Sequence, residues 1–201
     1  MRIFVTGTDT DVGKTLVCAW LCLHSDYDYF KPIQSGSVDG TDTQTIRNLS
    51  GAIVHPEAVL LKEPLSPHRA AELENRVIDI DEITLPDTDN LIIEGAGGLM
   101  VPINKEVLVI DLIKKLEAPV LLVARSGLGT INHTLLSIEA LRARGISLLG
   151  VIMSGAINPA NREAIEFYGK TKVLAEILKL EEITKETLSN ISMPDALKNL
   201  L

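Results

Sequence analysis

The chain has 201 residues, a length that suits one domain with a sizeable core, and we treat residues 1–201 as that single domain. Apolar residues make up 46% of the chain but aromatic residues only 3%, so we expect a core of Ile, Leu and Val. The net charge of −8 argues against a nucleic-acid surface or an anionic membrane surface, because both partners require clustered Lys and Arg.

The first elements of the chain predict a phosphate-binding loop. Residues 2–6 are short, apolar and β-branched, which indicates a buried strand, and the mostly apolar residues 16–23 indicate a helix. Between them stands the small-residue loop Gly7-Thr-Asp-Thr-Asp-Val-Gly13-Lys14-Thr15. Five residues separate Gly7 from Gly13 where four are usual, but strand, loop and helix occur in the required order. A tight strand–helix turn with a chance lysine is the disfavoured alternative.

Each part of this loop has an expected role. Backbone N–H groups in the loop and at the helix start point toward one anion, and the helix dipole favours negative charge there. Lys14 is expected to reach the outer phosphates of a nucleotide, and the Thr15 hydroxyl to ligate Mg²⁺. We assign nucleotide binding to Asp11, Val12, Gly13, Lys14, Thr15, Glu94 and Gly97.

The rest of the chain alternates between apolar strands and helices. Strands are predicted at residues 27–31, 90–94, 119–124 and 147–153, with a short edge strand at 173–177. Helices are predicted from near Asp42 to Gly51, from Ser66, at 107–116, after Asn132 to Arg144, at 159–168 and at 194–201. Residues 52–87 have patchy periodicity, and the glycines of residues 95–98 are expected to end their strand sharply.

Continuous apolar strands separated by helices predict the fold class. They indicate one α/β domain whose mostly parallel sheet has helices on both faces, of the P-loop nucleoside-triphosphatase type. Right-handed crossovers place the carboxyl ends of parallel strands at one edge of the sheet. We therefore expect residues 7–15, 31–35, 94–98 and 125–132 to meet there.

Three side chains at this edge invite metal and anion chemistry. Glu94 ends a predicted strand. Its carboxylate could complete an octahedral Mg²⁺ shell together with the Thr15 hydroxyl, phosphate oxygens and waters. The alternative is an acidic residue that only caps the end of the strand. Asp42 is a third candidate ligand, with an ordinary N-cap or first-turn acid as the alternative. Lys31 follows an apolar strand and is placed for an anion, whereas the alternative is an exposed lysine.

Cysteine and histidine usage points away from thiol and zinc chemistry. Cys18 and Cys22 share one helical face and indicate small core residues, and the four histidines have no ligand spacing. Arg125, His68 and His133 are expected to be structural or surface groups. We find no secretion signal and no apolar run of membrane-spanning length, so we expect a cytoplasmic protein.

Four motifs together resemble those of the dethiobiotin synthetase family. They are residues 7–15, Lys31-Pro-Ile-Gln-Ser-Gly36, Glu94-Gly-Ala-Gly-Gly98 and Gly127-Leu-Gly-Thr-Ile-Asn-His133, and the likeness extends from the start to about Gly150. The resemblance implies an enzyme that closes the ureido ring of dethiobiotin. Its substrates would be 7,8-diaminononanoate, CO₂ (or bicarbonate) and ATP, and it would require Mg²⁺. The reaction would pass through a carbamate and then a carbamic–phosphoric anhydride.

The resemblance also implies residue roles. The residues that it implies are catalytic are Lys14, Lys31 and Thr10. Lys31 holds the carbamate, with Thr10 and Ser35 as hydrogen-bond donors, while Mg²⁺ is positioned by Thr15, Asp42 and Glu94. The helix-start residues Gly129, Thr130, Ile131 and Asn132 match an element that binds the substrate carboxylate of a neighbouring subunit, so a homodimer with shared sites is implied.

The last quarter of the chain departs from the family pattern. Ser154 stands where relatives carry an Asn that contacts adenine, and Leu178 ends a stretch where relatives have Gly-Glu-Ile-Pro. We therefore expect nucleotide preference to be weaker or broader than for ATP alone. Tyr168 lies in the general region of the family's substrate-facing tyrosine.

A regulatory or partitioning ATPase of the same fold is the alternative function. Many such proteins carry a second lysine early in the phosphate loop, where this chain has Asp9, which counts against that alternative.

Overall fold

A parallel sheet forms the centre of the computed structural model, which describes all residues, 1–201. The strands are β1 (Arg2–Gly7), β2 (Asp28–Phe30), β3 (Ile33–Ser35), β4 (Val59–Leu61), β5 (Leu91–Gly98), β6 (Val120–Arg125), β7 (Leu148–Ser154) and β8 (Val173–Ile177). Six of them form the main sheet in the order β2-β5-β1-β6-β7-β8, and every neighbouring pair is parallel. The predicted mostly parallel sheet is confirmed, with β8 at one edge.

Helices cover both faces of this sheet. They are α1 (Lys14–Leu23), α2 (Asp42–Ser50), α3 (Pro67–Leu73), α4 (Val109–Leu116), α5 (Thr130–Ala143), α6 (Pro159–Gly169), α7 (Lys185–Ser189) and α8 (Asp195–Lys198), with a short 3-10 turn at Ile80–Glu82. The longest of them, α5, has 14 residues, and none combines the length and apolarity that a membrane crossing requires.

The two faces of β1 open onto two separate aliphatic cores. Ile3 and Val5 point to one side, where they join the cluster around Trp20 of α1, and Phe4 points to the other, where it joins Ile113 of α4. This alternation follows from the two-residue period of a strand, and burial on both faces explains why β1 is apolar without interruption.

The glycines after Glu94 do not end their strand, so that prediction was wrong. β5 continues to Gly98, and its pairing with β1 shifts between Val5 and Gly7. A methyl group at Gly95 would lie 2.8 Å from the Phe4 ring. Gly95 is therefore small because the Phe4 side chain approaches closely, whereas Gly97 has a φ of 69°, a left-handed conformation that favours glycine.

A small second sheet, which the sequence did not reveal, pairs β3 with β4, the strand that lies within residues 52–87. β3 and β4 pair in parallel with three residues each, too few for a period of two to stand out. α3 begins with Pro67 as expected, and Ser66 occupies its N-cap position without a side-chain hydrogen bond to the helix. Near the carboxyl terminus α7 was also missed, and the predicted last helix is shorter, at Asp195–Lys198.

Candidate active site

A cleft of about 820 Å³ opens at the carboxyl edge of the main sheet. Its walls are the loop between β1 and α1, the segment that follows β2, the end of β5 and the residues that lead into α3. Of the residues assigned from the sequence, the cleft is lined by Thr10, Asp11, Gly13, Lys14, Thr15, Lys31, Ser35, Asp42, Glu94 and Gly97. The topology thus brings three of the four expected segments into one cavity.

The loop between β1 and α1 leaves backbone donors free for an anion. Gly13 is the N-cap of α1 with φ of 94°, a left-handed conformation that favours glycine, and no side chain caps the helix. A methyl group at Gly7 would lie 2.7 Å from both the Asp9 carbonyl oxygen and the Val12 side chain. The Val12 side chain itself is buried in the core, so only its backbone is available for a ligand.

Lys14 is held inside this loop. Its side chain is buried, and Nζ donates a hydrogen bond to the Asp9 carbonyl oxygen at 3.2 Å. Burial lowers the pKa of the Lys14 ammonium, and the nearby negative charge of Glu94 acts in the opposite direction. A poorly hydrated ammonium in a loop of free N–H groups is suited to bind phosphate oxygens.

The Glu94 carboxylate is buried, with 1% of the residue exposed, and is held on both oxygens. Oε1 accepts a hydrogen bond from the Thr15 hydroxyl at 2.8 Å and another from Lys31 Nζ at 3.0 Å. Oε2 accepts one from the Tyr29 hydroxyl at 2.8 Å. Three donors compensate for the loss of water around this charge and fix its orientation.

Lys31 is buried between two carboxylates, which excludes the alternative of an exposed surface lysine. Its ammonium donates to Glu94 Oε1 and to Asp42 Oδ2, and 4% of the residue is exposed. Burial alone would lower the pKa of Lys31, but the two carboxylates outweigh it and raise the pKa above its usual value. The side chain therefore carries a positive charge at neutral pH.

Asp42 lies in the first turn of α2 and is not its N-cap. Thr41 takes that position, because its hydroxyl accepts from the Gln44 N–H while the Gln44 side chain accepts from the Thr41 N–H. The Asp42 carboxylate is consequently free of capping and contacts Lys31.

The oxygen donors in this cleft fit Mg²⁺. Neighbouring ligands of an octahedral Mg²⁺, each about 2.1 Å from the ion, lie about 3 Å apart, and Thr15 Oγ1 and Glu94 Oε1 are separated by 2.8 Å. No three His, Cys, Asp or Glu side chains gather into a group that could hold a metal by themselves. Mg²⁺ would therefore share this hydroxyl and its neighbouring carboxylates with phosphate oxygens and waters, as is usual for this ion.

Two residues of the segment after β2 shape the opposite wall. The buried Ser35 hydroxyl has no hydrogen-bond partner within the chain, so it is available to a ligand in the cleft. Gln34, which the sequence reasoning missed, donates to the carbonyl oxygens of Ser35 and Gly36 and accepts from the Asp42 N–H. Its side chain ties this segment to the start of α2, and its place inside a family motif was the available signal.

Tyr29 was also missed. It lies in β2, next to β5, and burial raises the pKa of its hydroxyl well above the usual value, so the group remains a proton donor. No sequence pattern identified it, because the strand order that brings β2 beside β5 cannot be derived from local spacing.

The helix-start residues 129–132 do not line the cleft. They lie at the amino end of α5, where Thr130 is buried with its hydroxyl 3.5 Å from that of Thr134. The first turns of α5 instead border a neighbouring cavity of about 360 Å³ through His133, and Thr10 lines both cavities. Arg125, in the fourth expected segment, is half exposed, with Nη1 3.9 Å from Asp9 Oδ2.

The residues that depart from the family pattern do not line the cleft. Ser154 ends β7 beside the phosphate loop, where a methyl group at Gly13 would be 2.8 Å from its hydroxyl oxygen. Leu178 follows β8 and is half exposed. Tyr168 is exposed on α6, packs edge-on against Phe167, and does not line the cleft.

Comparisons with known proteins show which family this chain resembles. A family model described as an AAA domain matches residues 1–187. The ATP-dependent dethiobiotin synthetase BioD of Lawsonia intracellularis (strain PHE/MN1-00) is 54% identical over 200 residues, which cover 100% of this chain and 98% of that protein. The protein of the same name from Paramagnetospirillum magneticum (strain ATCC 700264 / AMB-1) is 55% identical over 194 residues, 96% of this chain and 95% of its own length.

Solved structures agree on the fold. A ParA family ATPase from Chlorobium tepidum TLS superposes with a TM-score of 0.57, covering 98% of this chain and 92% of its own, at 14% identity. That identity is low enough for the likeness to concern the fold alone. The two dethiobiotin synthetases, in contrast, are more than 50% identical to this chain over nearly the whole of both sequences. These identities show that this chain belongs to the dethiobiotin synthetase family.

Proposed function

We propose that the protein makes dethiobiotin from 7,8-diaminononanoate, CO₂ and ATP in a Mg²⁺-dependent ring closure. The observation that carries this proposal is the position of Lys31, whose buried ammonium lies in the same cleft as Lys14 and Glu94. A site that only bound or hydrolysed a nucleotide would not need a second buried cation opposite the phosphate loop.

The reaction requires two anions to meet. One amine of the substrate takes up CO₂ as a carbamate, and a carbamate oxygen then attacks the γ-phosphorus of ATP, so that the bond to ADP breaks. The other amine attacks the carbonyl carbon of the resulting anhydride, and phosphate leaves with the former carbamate oxygen while the amine loses its proton. Placing the reacting atoms in line accounts for much of the rate in such reactions.

The residues of the cleft suit these steps. Lys14 and the backbone N–H groups of Asp11, Val12 and Gly13 would stabilise charge on the transferring phosphoryl group, with Gly97 bordering the nucleotide. Lys31, which keeps its charge, would hold the carbamate. Mg²⁺, held by Thr15, Glu94 and Asp42, would neutralise phosphate charge.

Two hydroxyls complete the proposed carbamate site. Ser35 offers a buried hydroxyl without another partner, and Thr10 lines the cleft on the side of the phosphate loop. Both would donate hydrogen bonds to the carbamate oxygens, which keeps that anion beside Lys31.

A homodimer with shared sites is part of the proposal. Residues 129–132 lie outside the cleft of their own chain, so they would bind the substrate carboxylate of the partner through the amino end of α5. Exposed apolar side chains around this helix support an interface there; they are Leu128, Leu136, Ile157, Phe167 and Tyr168.

The deciding experiment supplies the purified protein with the diamine, bicarbonate, Mg²⁺ and nucleotide, and detects dethiobiotin by mass spectrometry. We expect product and phosphate in equal amounts, with both dependent on the diamine. Phosphate release that is independent of the diamine, without dethiobiotin, would instead indicate a regulatory ATPase.

Repeating this assay with ATP, GTP and CTP tests base recognition. The Ser154 hydroxyl offers fewer hydrogen bonds than an asparagine amide, so we expect these nucleotides to differ modestly in apparent affinity. Strong selectivity for ATP would show that base recognition does not depend on an amide at this position.

A further inference from the structure

Glu94 has one hydrogen-bond donor that the proposed function does not use. Thr15 and Lys31 both act on Oε1 and both line the cleft, whereas Oε2 accepts from Tyr29. Tyr29 does not line the cleft and is completely buried. It can therefore influence the reaction only through the carboxylate that it contacts.

The Tyr29 side chain is rigidly placed beneath the floor of the cleft. Its strand pairs with β5 so that Tyr29 lies opposite Ile92, two residues before Glu94. Its backbone N–H donates to the Ile53 carbonyl oxygen at 2.9 Å, and its own carbonyl accepts from the His55 N–H at 2.8 Å. The ring packs within the same core as Trp20.

We propose that Tyr29 is a positioning residue that fixes the Glu94 carboxylate for Mg²⁺. The terminal torsion of a glutamate side chain has broad minima, so a carboxylate held from one side only can turn. A donor on Oε2, from the core side, keeps Oε1 directed at Thr15 and the cleft. Hydrogen-bond partners of ligating carboxylates commonly influence metal affinity in this way.

This inference deepens the proposed function, since it assumes that Glu94 ligates the metal, and the test therefore measures metal binding without turnover. Mn²⁺ is titrated into the protein with saturating ADP, and free Mn²⁺ is followed by electron paramagnetic resonance. Tyr29→Phe removes only the hydroxyl, and we expect Mn²⁺ affinity to fall about 10- to 100-fold.

Tyr27→Phe is the matched control. The same hydroxyl is lost two positions earlier, where it donates to the Leu201 carbonyl oxygen and contacts nothing in the cleft. We expect this variant to bind Mn²⁺ with the affinity of the unmodified protein. Equal affinities for Tyr29→Phe and Tyr27→Phe would overturn the proposal and leave Tyr29 a core residue.

A second measurement uses the unmodified protein and does not depend on how the variant folds. The chain has three tyrosines, and labelling their Cζ atoms with ¹³C gives one resonance each. Tyr27→Phe identifies one resonance, and a soluble paramagnetic agent broadens that of the exposed Tyr168. Adding Mg²⁺ to the ADP complex should shift the Tyr29 resonance and leave that of Tyr27 in place.

The outcomes separate this inference from the function on which it rests. A Tyr29 resonance that is unmoved by Mg²⁺ would overturn the positioning role, even if dethiobiotin is made. If the unmodified protein with ADP binds no Mn²⁺, the metal role of Glu94 fails and the inference fails with it.

Discussion

Lys31 neutralises two carboxylates that would otherwise be costly to bring together. Glu94 is almost completely buried and Asp42 is partly exposed, and the same ammonium contacts both. Removing one partner of a buried ion pair typically costs about 3–5 kcal/mol, because the remaining charge is left without compensation. Lys31 therefore has a structural role in the cleft in addition to the proposed binding of the carbamate.

Substituting Lys31 separates the two roles. We expect Lys31→Ala to lower turnover at least about 100-fold, since a positioned cation at the reacting anion is lost, while ADP affinity changes little. The free energy of unfolding should fall by about 3 kcal/mol in the absence of nucleotide.

The control for this variant is Lys114→Ala, which removes an exposed lysine from the last turn of α4. Turnover and stability should both match those of the unmodified protein. Turnover near the normal level in Lys31→Ala would exclude Lys31 from the mechanism.

The raised pKa of the Cys22 thiol makes the free energy of unfolding depend on pH. Burial, and then the negative charge of Glu94, raise the pKa of this thiol from 9.0 to about 12. Because the folded pKa lies above the unfolded one, this contribution to stability is complete below pH 9 and is lost as pH rises toward 12. Between pH 9 and about 10.5 the unmodified protein should lose about 1.5 kcal/mol more than Cys22→Ala.

Urea unfolding at a series of pH values measures this difference. Lys31 and Tyr29 also have raised pKa values, but they are present in both proteins and cancel in the comparison. The raised pKa of Cys18 is caused first by its own burial and then by Glu94, with Cys22 contributing after them, so most of its effect cancels as well. Parallel pH dependences for the two proteins would contradict the assigned shift.

At the level of single residues, the sequence predicted which side chains belong to the site better than it predicted the burial and contacts of those side chains. Lys14 and Thr15 could be chosen from the Gly-Lys-Thr motif of the phosphate loop, and Lys31 and Glu94 because they follow apolar strands. The burial of Lys31 could not be predicted, since it depends on two carboxylates that come from different elements.

Helix α5 and the turn before it expose large apolar side chains to solvent. Of its apolar side chains, Leu136 is 62% exposed, and Leu128 in the preceding turn is completely exposed. α5 packs against α6, which exposes Phe167 and Tyr168, and exposed apolar side chains on neighbouring helices are typical of a surface that another molecule covers. The proposed homodimer would cover it.

A charge introduced on α5 tests the proposed dimer. We expect the unmodified protein to sediment as a dimer and Leu136→Glu to sediment as a monomer with reduced turnover, because a buried unpaired carboxylate destabilises the interface. Val77→Glu is the control, since Val77 is an exposed apolar residue in a cavity to which α5 contributes no residue, and this variant should remain dimeric. An unmodified protein that is monomeric at micromolar concentration would contradict the shared site.

Short elements were the ones that the sequence could not predict. Long apolar runs gave β1, β6 and β7 within one or two residues, but three-residue strands such as β3 and β4 have no detectable period. In β5 the glycines were interpreted as a strand end because glycine is common in turns. The close approach of Phe4, which explains Gly95, is visible only in three dimensions.

The arrangement of the whole sheet joins the separate motifs into a site. The rule that parallel strands place their carboxyl ends at one edge was enough to predict that the phosphate loop, Lys31 and Glu94 meet. Strand order was not predictable, and with it neither the contact of Tyr29 with Glu94 nor the separation of residues 129–132 from the cleft. Those features depend on which strands become neighbours, which local patterns do not encode.

In the proposed reaction a carbamate oxygen attacks the γ-phosphorus in this cleft, and isotope labelling tests this step directly. In a single turnover with ¹⁸O-labelled CO₂, the released phosphate should contain one oxygen from CO₂, and the ureido carbonyl of dethiobiotin should retain the other. Phosphate without label, formed together with dethiobiotin, would contradict the account, because the phosphoryl group would then have been transferred to another oxygen.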